Sequence, residues 1–536
     1  MLKGIIFHFD DIIYDYYNSN NTALTILFFT ISKNHNIDIH IIEETYNKIN
    51  SNKIITNNNI YIKSLLKELN IHSQCLEKYI NIYNSEFYKN TELFDNLIDV
   101  LQLLKNNNIK ISLYSNTNLK EQQNKLIYFS ISKYFDYIYS SDEYFSNLVH
   151  IISNKLNIES CYCGYLSDSD NYNDNHNIKN EFIYFHFIRD CRLNITENCI
   201  QYGNYKDLYS FLYDYFNSSR ELIFLSKYFG QSVLNTQGPG SNISIKFQNC
   251  MFIKSSGAVL ANINEYNGYC LVNNDSVLKQ LQNNLNNNKI EECKIFGNSR
   301  PSMETYFHCF LNKYTVHIHF TLANIFLCSN NLSILDNIKY PYVIIDYYQP
   351  GIILAHEIYK KMNNNAVIYF LKNHGIIICN DSLEQIIEIY EYLFCYFDTI
   401  LNNQYKNHFN SFIINKNYYH YHNKSCVVKY IDYNPDLIKN MIYCFPDLAI
   451  FIENIKIINY CDTDNIESFI KDDNKNYDII IINNDVYIVS ENLLKIYNII
   501  ELLDTYKILA EYNIVDINNI EDLQNMEQEK QRKRII

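Results

Sequence analysis

The sequence predicts an α/β protein with more than one domain. Strand-like and helix-like stretches alternate through the first 215 residues, and short β-branched apolar runs recur later in the chain. Apolar residues make up 47% of the 536 positions, which is enough to bury several large cores. Such alternation is typical of a parallel sheet covered by helices, in which any site is formed by the loops that follow the strands.

The elements of the first domain follow one another in a clear order. Residues 4–15 read as a buried strand that runs into a loop, and a long helical stretch extends from there to about residue 90. A helix at 93–107 leads to a strand at 109–114, and 135–142 form a further strand and turn. We therefore expect one domain over residues 1–215, built on a parallel sheet.

The strongest chemical signal is a pair of histidines in a predicted strand at residues 315–320. His317 and His319 alternate there with apolar residues, so both imidazoles point to one face of the strand. His374 follows a second predicted strand, 367–371, and could join them. Three nitrogen ligands with an open fourth position are typical of a catalytic zinc site. A lone histidine is more often a core or surface residue, so the prediction depends on the set of three.

Two helix starts follow from capping patterns. Residues 299–308 predict a helix with Ser302 as its N-cap and Glu304 in the first turn, where backbone N–H groups favour an anion. Asp381 and Glu384 fit a capping box, with the aspartate as N-cap, and are interpreted as structural.

Glycine and proline punctuate residues 236–242, which predict a turn into a strand at 243–247. Glycines allow a ligand to approach the backbone closely, so this turn is a candidate ligand site. From the residues alone, an ordinary hairpin turn is the alternative.

Charge and composition narrow the class of protein. The net charge of −14 argues against nucleic acid as a main partner. Fifteen cysteines are scattered without a disulfide or metal-binding framework, and neither a signal peptide nor a membrane span is evident. We therefore expect a reduced, cytoplasmic protein without a membrane partner.

Five short motifs, in the same order and spacing, resemble the class II aldolase/adducin family over residues 218–405. They are Gly240 to Ser244, Lys254 to Gly257, Arg300 to Glu304, His317 to His319, and Asn373 to Gly375. The resemblance implies an α/β/α domain that binds Zn²⁺ or another divalent metal through the three histidines, with Glu304 as the acid/base. It also implies a substrate site that includes Asn242, Ser256, Gly257 and Ser302.

The resemblance further implies a lyase of carbohydrate metabolism, a metal-dependent aldolase that cleaves a sugar or sugar phosphate. A homo-oligomer is expected, a tetramer in this family. Many relatives carry two serines before the glutamate, whereas Met303 occupies the second position here. An epimerase, a decarboxylase or a dehydratase on the same metal site stays open, as does a non-catalytic adducin-like scaffold.

The last segment, 406–536, resembles the end of longer sugar-aldolase members of that family. The resemblance lies in Tyr443 to Asp447 and in residues 520–532. Strand-like runs at 477–482 and 486–489 predict a small α/β lobe. We therefore expect this extension to belong with the aldolase-like part.

Residues 1–215 resemble the haloacid dehalogenase-like superfamily, which has a Rossmann-like core and a helical cap. In that family the first strand ends in a D-x-D pair whose first aspartate attacks phosphorus. His8 stands in the first position here, Asp10 in the second, and Ser115 matches the phosphate-binding Ser/Thr. The resemblance implies that the magnesium-binding acid is Asp168, Asp170 or Asp174. Without the carboxylate nucleophile we expect a degenerate domain with a structural or ligand-sensing role.

Overall fold

A computed structural model describes the chain in two compact units, Met1–Phe216 and Asn217–Ile536. The described residues are 2–9, 11–50, 58–115, 119–140, 145–168, 182–189, 191–196, 199–283, 289–297, 299–329, 331–402, 426–430, 435–441, 443–452, 454–458, 477–482, 485–490, 493–512, 514 and 517.

The first unit alternates strands and helices. Its helices are α1 (Tyr16–His35), α2 (Ile39–Asn50), α3 (Asn58–Glu68), α4 (Leu76–Lys89), α5 (Leu97–Asn106), α6 (Leu119–Tyr128) and α7 (Phe145–Leu156). Its strands are β1 (Gly4–His8), β2 (Lys110–Ser115), β3 (Tyr137–Ser140), β4 (Cys163–Ser167), β5 (Ile183–Phe187), β6 (Asn194–Ile195) and β7 (Cys199–Tyr202). Helix α8 (Tyr205–Gly230) follows, and the boundary between the units falls within it.

Within the described residues these strands form one sheet in the order β3-β2-β1-β4-β5-β7-β6. Every neighbouring pair is parallel except β6 with β7. Four of the five residues of β1 are buried, as expected for a strand covered on both faces. The predicted parallel α/β domain is confirmed, and the four helices α1 to α4 occupy the predicted helical stretch.

The second unit contains two further sheets. Its helices are α9 (Asn274–Gln282), α10 (Thr305–His308), α11 (Thr321–Leu327), α12 (Ile352–Lys361), α13 (Leu383–Ile400), α14 (Pro435–Lys439), α15 (Pro446–Phe451) and α16 (Leu493–Leu509). Its strands are β8 (Asn242–Phe247), β9 (Cys250–Lys254), β10 (Tyr269–Asn273), β11 (Lys294–Phe296), β12 (Tyr314–Ile318), β13 (Tyr342–Ile345), β14 (Ile368–Leu371), β15 (Gly375–Asn380), β16 (Cys426–Tyr430), β17 (Ile455–Ile458), β18 (Ile479–Ile482) and β19 (Asp485–Ser490).

The larger of these sheets has the order β11-β10-β9-β8-β12-β15-β14-β13 over the described residues. It is antiparallel apart from the pair of β13 and β14. Strand β12 lies inside the sheet, where all five of its residues are buried. The histidine pair thus comes from the interior of the sheet, and its position is fixed by hydrogen-bonded neighbours on both sides.

Helix α13 begins one residue later than the capping pattern predicted. Its N-cap is Ser382, whose side chain accepts a hydrogen bond from the backbone N–H of Gln385. Asp381 instead accepts a hydrogen bond from the Lys313 N–H, at the turn before β12. The predicted N-cap at Asp381 is wrong because this carboxylate bonds to a turn that is distant in sequence.

The smaller sheet has the order β16-β19-β18-β17 in the described part of the chain, which agrees with the small α/β lobe expected there. The four residues of β18 are all isoleucine and all buried. None of the helices in the described part combines the length and the apolar character that crossing a lipid bilayer requires.

Candidate metal centre

Three buried histidines meet beside the edge where β12 ends and β15 begins. The ring centroids of His317 and His319 are 5.1 Å apart, and that of His374 lies 4.8 Å and 5.1 Å from them. One nitrogen from each ring lies within 4.8 Å of the other two. The structure therefore brings together the three histidines that the sequence singled out.

A tight turn between β14 and β15 carries His374 to this position. Asn373 has a left-handed backbone with φ of 53°, a conformation that asparagine tolerates better than most residues. A Cβ on Gly375 would lie 2.3 Å from the backbone oxygen of Ile318, so only glycine allows so close an approach to β12. The Asn-His-Gly order is thus what places the third imidazole beside the other two.

Hydrogen bonding determines which nitrogen of His317 can bind a metal. Its Nδ1 lies 3.0 Å from the carbonyl oxygen of Ile376, and since a carbonyl only accepts, Nδ1 carries the proton. Its Nε2 is buried, has no hydrogen-bond partner among the described residues, and lies 3.5 Å from Oε2 of Glu304. On the other side of this carboxylate, Oε1 lies 3.4 Å from Nε2 of His374.

The donor set fits a divalent metal ion. Burial lowers the pKa of His317 to about 4 and that of His374 to about 3, so both rings are neutral at pH 7, as metal ligands must be. Within the described part of the chain, the buried Nε2 of His317, Nδ1 of His374 and Oε1 of Glu304 have no hydrogen-bond partner. A buried polar atom left unsatisfied costs about 1–3 kcal/mol, and a bound cation would satisfy lone pairs of this kind.

Glu304 is the acidic residue between two of the imidazoles, and it is nearly inaccessible. Burial raises its pKa, but the three histidines and a hydrogen bond from Asn242 outweigh this and lower it to about 2. The Asn242 amide nitrogen lies 2.6 Å from Oε2 of Glu304. The carboxylate is therefore ionised at neutral pH and held in one orientation.

The helix that presents Glu304 is shorter than predicted. Helix α10 comprises only Thr305–His308, and Glu304 is its N-cap. The predicted N-cap at Ser302 is wrong, since this residue precedes the cap and its hydroxyl lies 3.4 Å from the Glu304 N–H. The helix ends at His308, and β12 begins at Tyr314.

Behind Glu304 lies a polar network that the sequence did not reveal. His308 is fully buried, its Nδ1 is 2.7 Å from the Ser244 hydroxyl, and its Nε2 contacts the side-chain oxygen of Asn242. Asn242 therefore uses its oxygen towards His308 and its nitrogen towards Glu304. The only sequence signal for this network was the position of His308 one turn after Glu304.

Burial lowers the pKa of His308 well below its ordinary value, which predicts loss of stability in acid. The unfolded chain binds a proton near pH 6.5 and the folded chain does not, so stability is lost as the pH falls below that value. The loss is up to about 1.4 kcal/mol per pH unit for each such histidine. We expect His308→Gln to flatten the fall in unfolding free energy between pH 7 and 5 in urea titrations of chelator-treated protein. The exposed control His40→Gln should leave the slope unchanged, and equal slopes in all three proteins would contradict the prediction.

A narrow cleft opens beside the histidine cluster, and His319 and His374 line it. The predicted substrate-binding residues Asn242, Ser256, Gly257 and Ser302 all line it, together with Met303. Sequence reasoning assigned no role to two further charged residues of the lining, Lys254 and Asp447. Their side chains are 2% and 1% exposed, and both lie in motifs that the sequence had marked.

In the first unit, the described part of the phosphatase-like site is incomplete. His8 ends β1 and Ser115 ends β2, and the two strands are parallel neighbours, so both residues lie at one edge of the sheet. The buried Ser115 hydroxyl accepts a hydrogen bond of 2.8 Å from Gln122. Asp168 follows β4. Three of the predicted residues lie outside the described part of the chain, namely Asp10, Asp170 and Asp174.

Comparison with known families identifies one domain in each of the two units. Residues 220–397 match the family model of the Class II Aldolase and Adducin N-terminal domain. Residues 5–174 match that of the Haloacid dehalogenase-like hydrolase. The chain joins a haloacid dehalogenase-like domain to a class II aldolase/adducin domain. Both resemblances stated from the sequence are confirmed. Each match covers about a third of the chain, so the class is established for the two domains separately.

Solved structures resemble each domain at low sequence identity. The N-terminal class II aldolase domain of a conserved protein from Thermoplasma acidophilum is 20% identical, covers 34% of this chain and 92% of its own, and gives a TM-score of 0.31. A HAD-superfamily hydrolase from Ehrlichia chaffeensis is 21% identical over 40% of this chain and 98% of its own, with a TM-score of 0.24. A haloacid dehalogenase-like hydrolase from Xanthomonas campestris is 13% identical over 40% and 91%, with a TM-score of 0.30. No curated protein sequence matches the chain.

The aldolase/adducin domain thus contains a cluster of three histidines with the geometry of a metal site, at the positions that the resemblance implied. Class II aldolases depend on a divalent metal, and the three-histidine cluster is consistent with that requirement. The same family includes adducin, so membership alone does not establish catalysis.

Proposed function

We propose that the aldolase/adducin domain is a zinc-dependent lyase that reversibly cleaves a ketose or a ketose 1-phosphate. One observation supports this above all: three buried histidines and one ionised glutamate meet beside a cleft. A scaffold protein gains nothing from such a group, because each buried polar atom without a partner lowers its stability. A metal ion bound by the cluster would satisfy these buried atoms.

The division of labour follows from the positions of the side chains. His317, His319 and His374 would hold the ion, and when bound the ion supplies a Lewis acid that stabilises the negative charge of an enediolate. Glu304 accepts the proton of the substrate hydroxyl β to the carbonyl, the adjacent carbon–carbon bond breaks, and an aldehyde leaves. The same proton is then returned to the carbon that lost the bond.

The substrate contacts are assigned to the polar residues of the cleft. We assign the terminal oxygens or the phosphate of the substrate to Ser256, Gly257 and Ser302. Asn242 also lines the cleft, but its amide nitrogen is bonded to Glu304, so its main effect is to orient that carboxylate. Met303 has no strong donor, which makes this side of the cleft less suited to a phosphate than a second serine would.

We propose that the aldolase-like domain comprises residues 218–405 and that the extension, residues 406–536, contributes to its site. The position of Asp447 supports this, because this residue of the extension lines the cleft. The homo-tetramer is proposed from family resemblance alone.

For the haloacid dehalogenase-like domain, residues 1–215, we propose a degenerate role. The first catalytic position is His8, which cannot form an aspartyl-phosphate, and a neutral imidazole is a poor ligand for Mg²⁺. The domain would then bind a ligand or support the fold without hydrolysing a phosphate ester.

The proposal is tested by metal analysis followed by a substrate screen. Full-length protein is purified, incubated with zinc, dialysed and analysed for metal, and we expect about one ion per chain. The metal-loaded protein is then offered ketoses and ketose 1-phosphates, and release of an aldehyde is measured. Absence of stoichiometric metal after zinc is added back would overturn the proposal and favour the adducin-like scaffold. Metal without cleavage would favour an epimerase, a decarboxylase or a dehydratase on the same site.

A further inference from the structure

One buried carboxylate of the aldolase site has no role in the function proposed above. Asp447 belongs to the first turn of α15 and is 1% exposed. Its Oδ2 lies 2.9 Å from Nδ1 of His319. This oxygen does not lie along the direction of the ring N–H, so the contact is not a hydrogen bond in the described structure. Burial of a carboxylate is costly unless it is paired, so this contact with the imidazole needs a reason.

The absence of a side chain at Gly240 leaves space for the pair. A Cβ on Gly240 would lie 2.7 Å from Oδ2 of Asp447 and 2.8 Å from Nδ1 of His319. Any other residue at this position would push the carboxylate and the imidazole apart. The glycine of the turn at 236–242 thus serves the histidine–aspartate contact, in addition to forming a wall of the cleft.

The segment that carries Asp447 also contacts the loop of a second histidine. The backbone oxygen of Cys444 accepts a hydrogen bond of 2.9 Å from the side chain of Asn373, which directly precedes His374. The same oxygen lies 3.3 Å from the Cys328 sulfur, after α11. Residues 444–447 therefore contact both the residue before His374 and the ring of His319.

We propose that Asp447 is a positioning residue for the metal centre, with residues 444–447 as its support. In the metal-loaded site the carboxylate would accept the proton of His319 Nδ1, which would fix the tautomer and leave the Nε2 lone pair for the metal. A carboxylate behind a metal-binding histidine orients the ring and makes it a stronger ligand. The inference depends on the metal site proposed above, and it places a residue of the C-terminal extension directly behind that site.

The affinity of the protein for metal tests this role without any activity measurement. Chelator-treated full-length protein is titrated with Zn²⁺ against a chromophoric chelator, and the visible spectrum of the Co²⁺-loaded protein is recorded. We expect Asp447→Ala to weaken metal binding by about 10- to 100-fold. The isosteric Asp447→Asn, which can still accept a hydrogen bond, should recover part of the affinity. Gly240→Ala, which separates the pair, should weaken binding in the same way.

The matched control is Asp436→Asn, an exposed aspartate eight residues before the segment, which should bind metal like the wild type. Thermal melting of the metal-free proteins checks folding, and Asp447→Asn remains informative if the alanine variant does not fold. Affinities within about twofold of the wild type for both Asp447 variants would overturn the inference while leaving the metal site intact. A Co²⁺ spectrum of Asp447→Asn that shows a changed coordination number would also overturn it, because Asp447 would then be a ligand. A wild type that binds no metal would overturn both proposals.

Discussion

Replacing Glu304 with glutamine is expected to lower the rate of cleavage by about 10²- to 10⁴-fold while metal stays bound. Glutamine has nearly the same size, and its oxygen can still accept the hydrogen bond from the Asn242 amide. Glutamine cannot take up a proton at neutral pH, however. The side chain at position 304 could then no longer carry the proton from the substrate hydroxyl to the carbon. The three histidines keep their lone pairs, and metal content should remain near that of the wild type.

Proton transfer can be measured before the full substrate is known. Dihydroxyacetone phosphate is incubated with metal-loaded protein in D₂O, and exchange of its carbon-bound protons is followed by NMR. Glu304→Gln should slow this exchange, whereas Glu384→Gln, which changes an exposed glutamate at the start of α13, should not. Wild-type exchange rates in Glu304→Gln would exclude this glutamate as the acid/base. Loss of metal from the variant would instead identify Glu304 mainly as a ligand.

The second large effect is expected from the double variant His317→Ala/His319→Ala. Removing two of three nitrogen ligands leaves one imidazole, which cannot retain zinc through dialysis. Metal content should fall from about one ion per chain to the background level, and cleavage should be lost with it. The matched control is His356→Ala, on helix α12 and outside the lining of the cleft, which should keep both.

Elemental analysis of the three proteins, prepared side by side, provides the measurement. Circular dichroism of the metal-free forms shows whether the double variant has kept the eight-stranded sheet. A folded double variant that still binds one ion per chain would place the metal elsewhere and remove the structural basis of the proposed reaction.

The sequence predicted the histidine cluster because its pattern is local. A strand has a side-chain period of two, so His317 and His319 had to share a face of β12. His374 was expected at the end of a second strand, and the tight turn at Asn373 that the structure shows places it beside that face. Strand pairing then completes the site, since β12 and β15 are neighbours.

What could not be predicted depends on contacts between distant parts of the chain. The helix before β12 began later than expected: its N-cap is Glu304, whose carboxylate makes no capping hydrogen bond and lies near His317 and His374 instead. The roles of His308 and Asp447 were also missed, because each is defined by a partner that is 64 or more positions away. A single sequence shows which residue types are present, but not which buried polar groups face each other.

The interior position of β12 limits the route by which a metal ion could reach the histidine cluster. The strand is hydrogen-bonded along both edges, to β8 and to β15. Local fraying opens the edges of a sheet at a low cost in free energy. Separating β12 from both of its neighbours, in contrast, requires nearly the full free energy of unfolding. Backbone amides around His317 should therefore be among the slowest to exchange with solvent. An apo protein would take up its ion through the mouth of the cleft, at a rate that mild denaturant leaves almost unchanged.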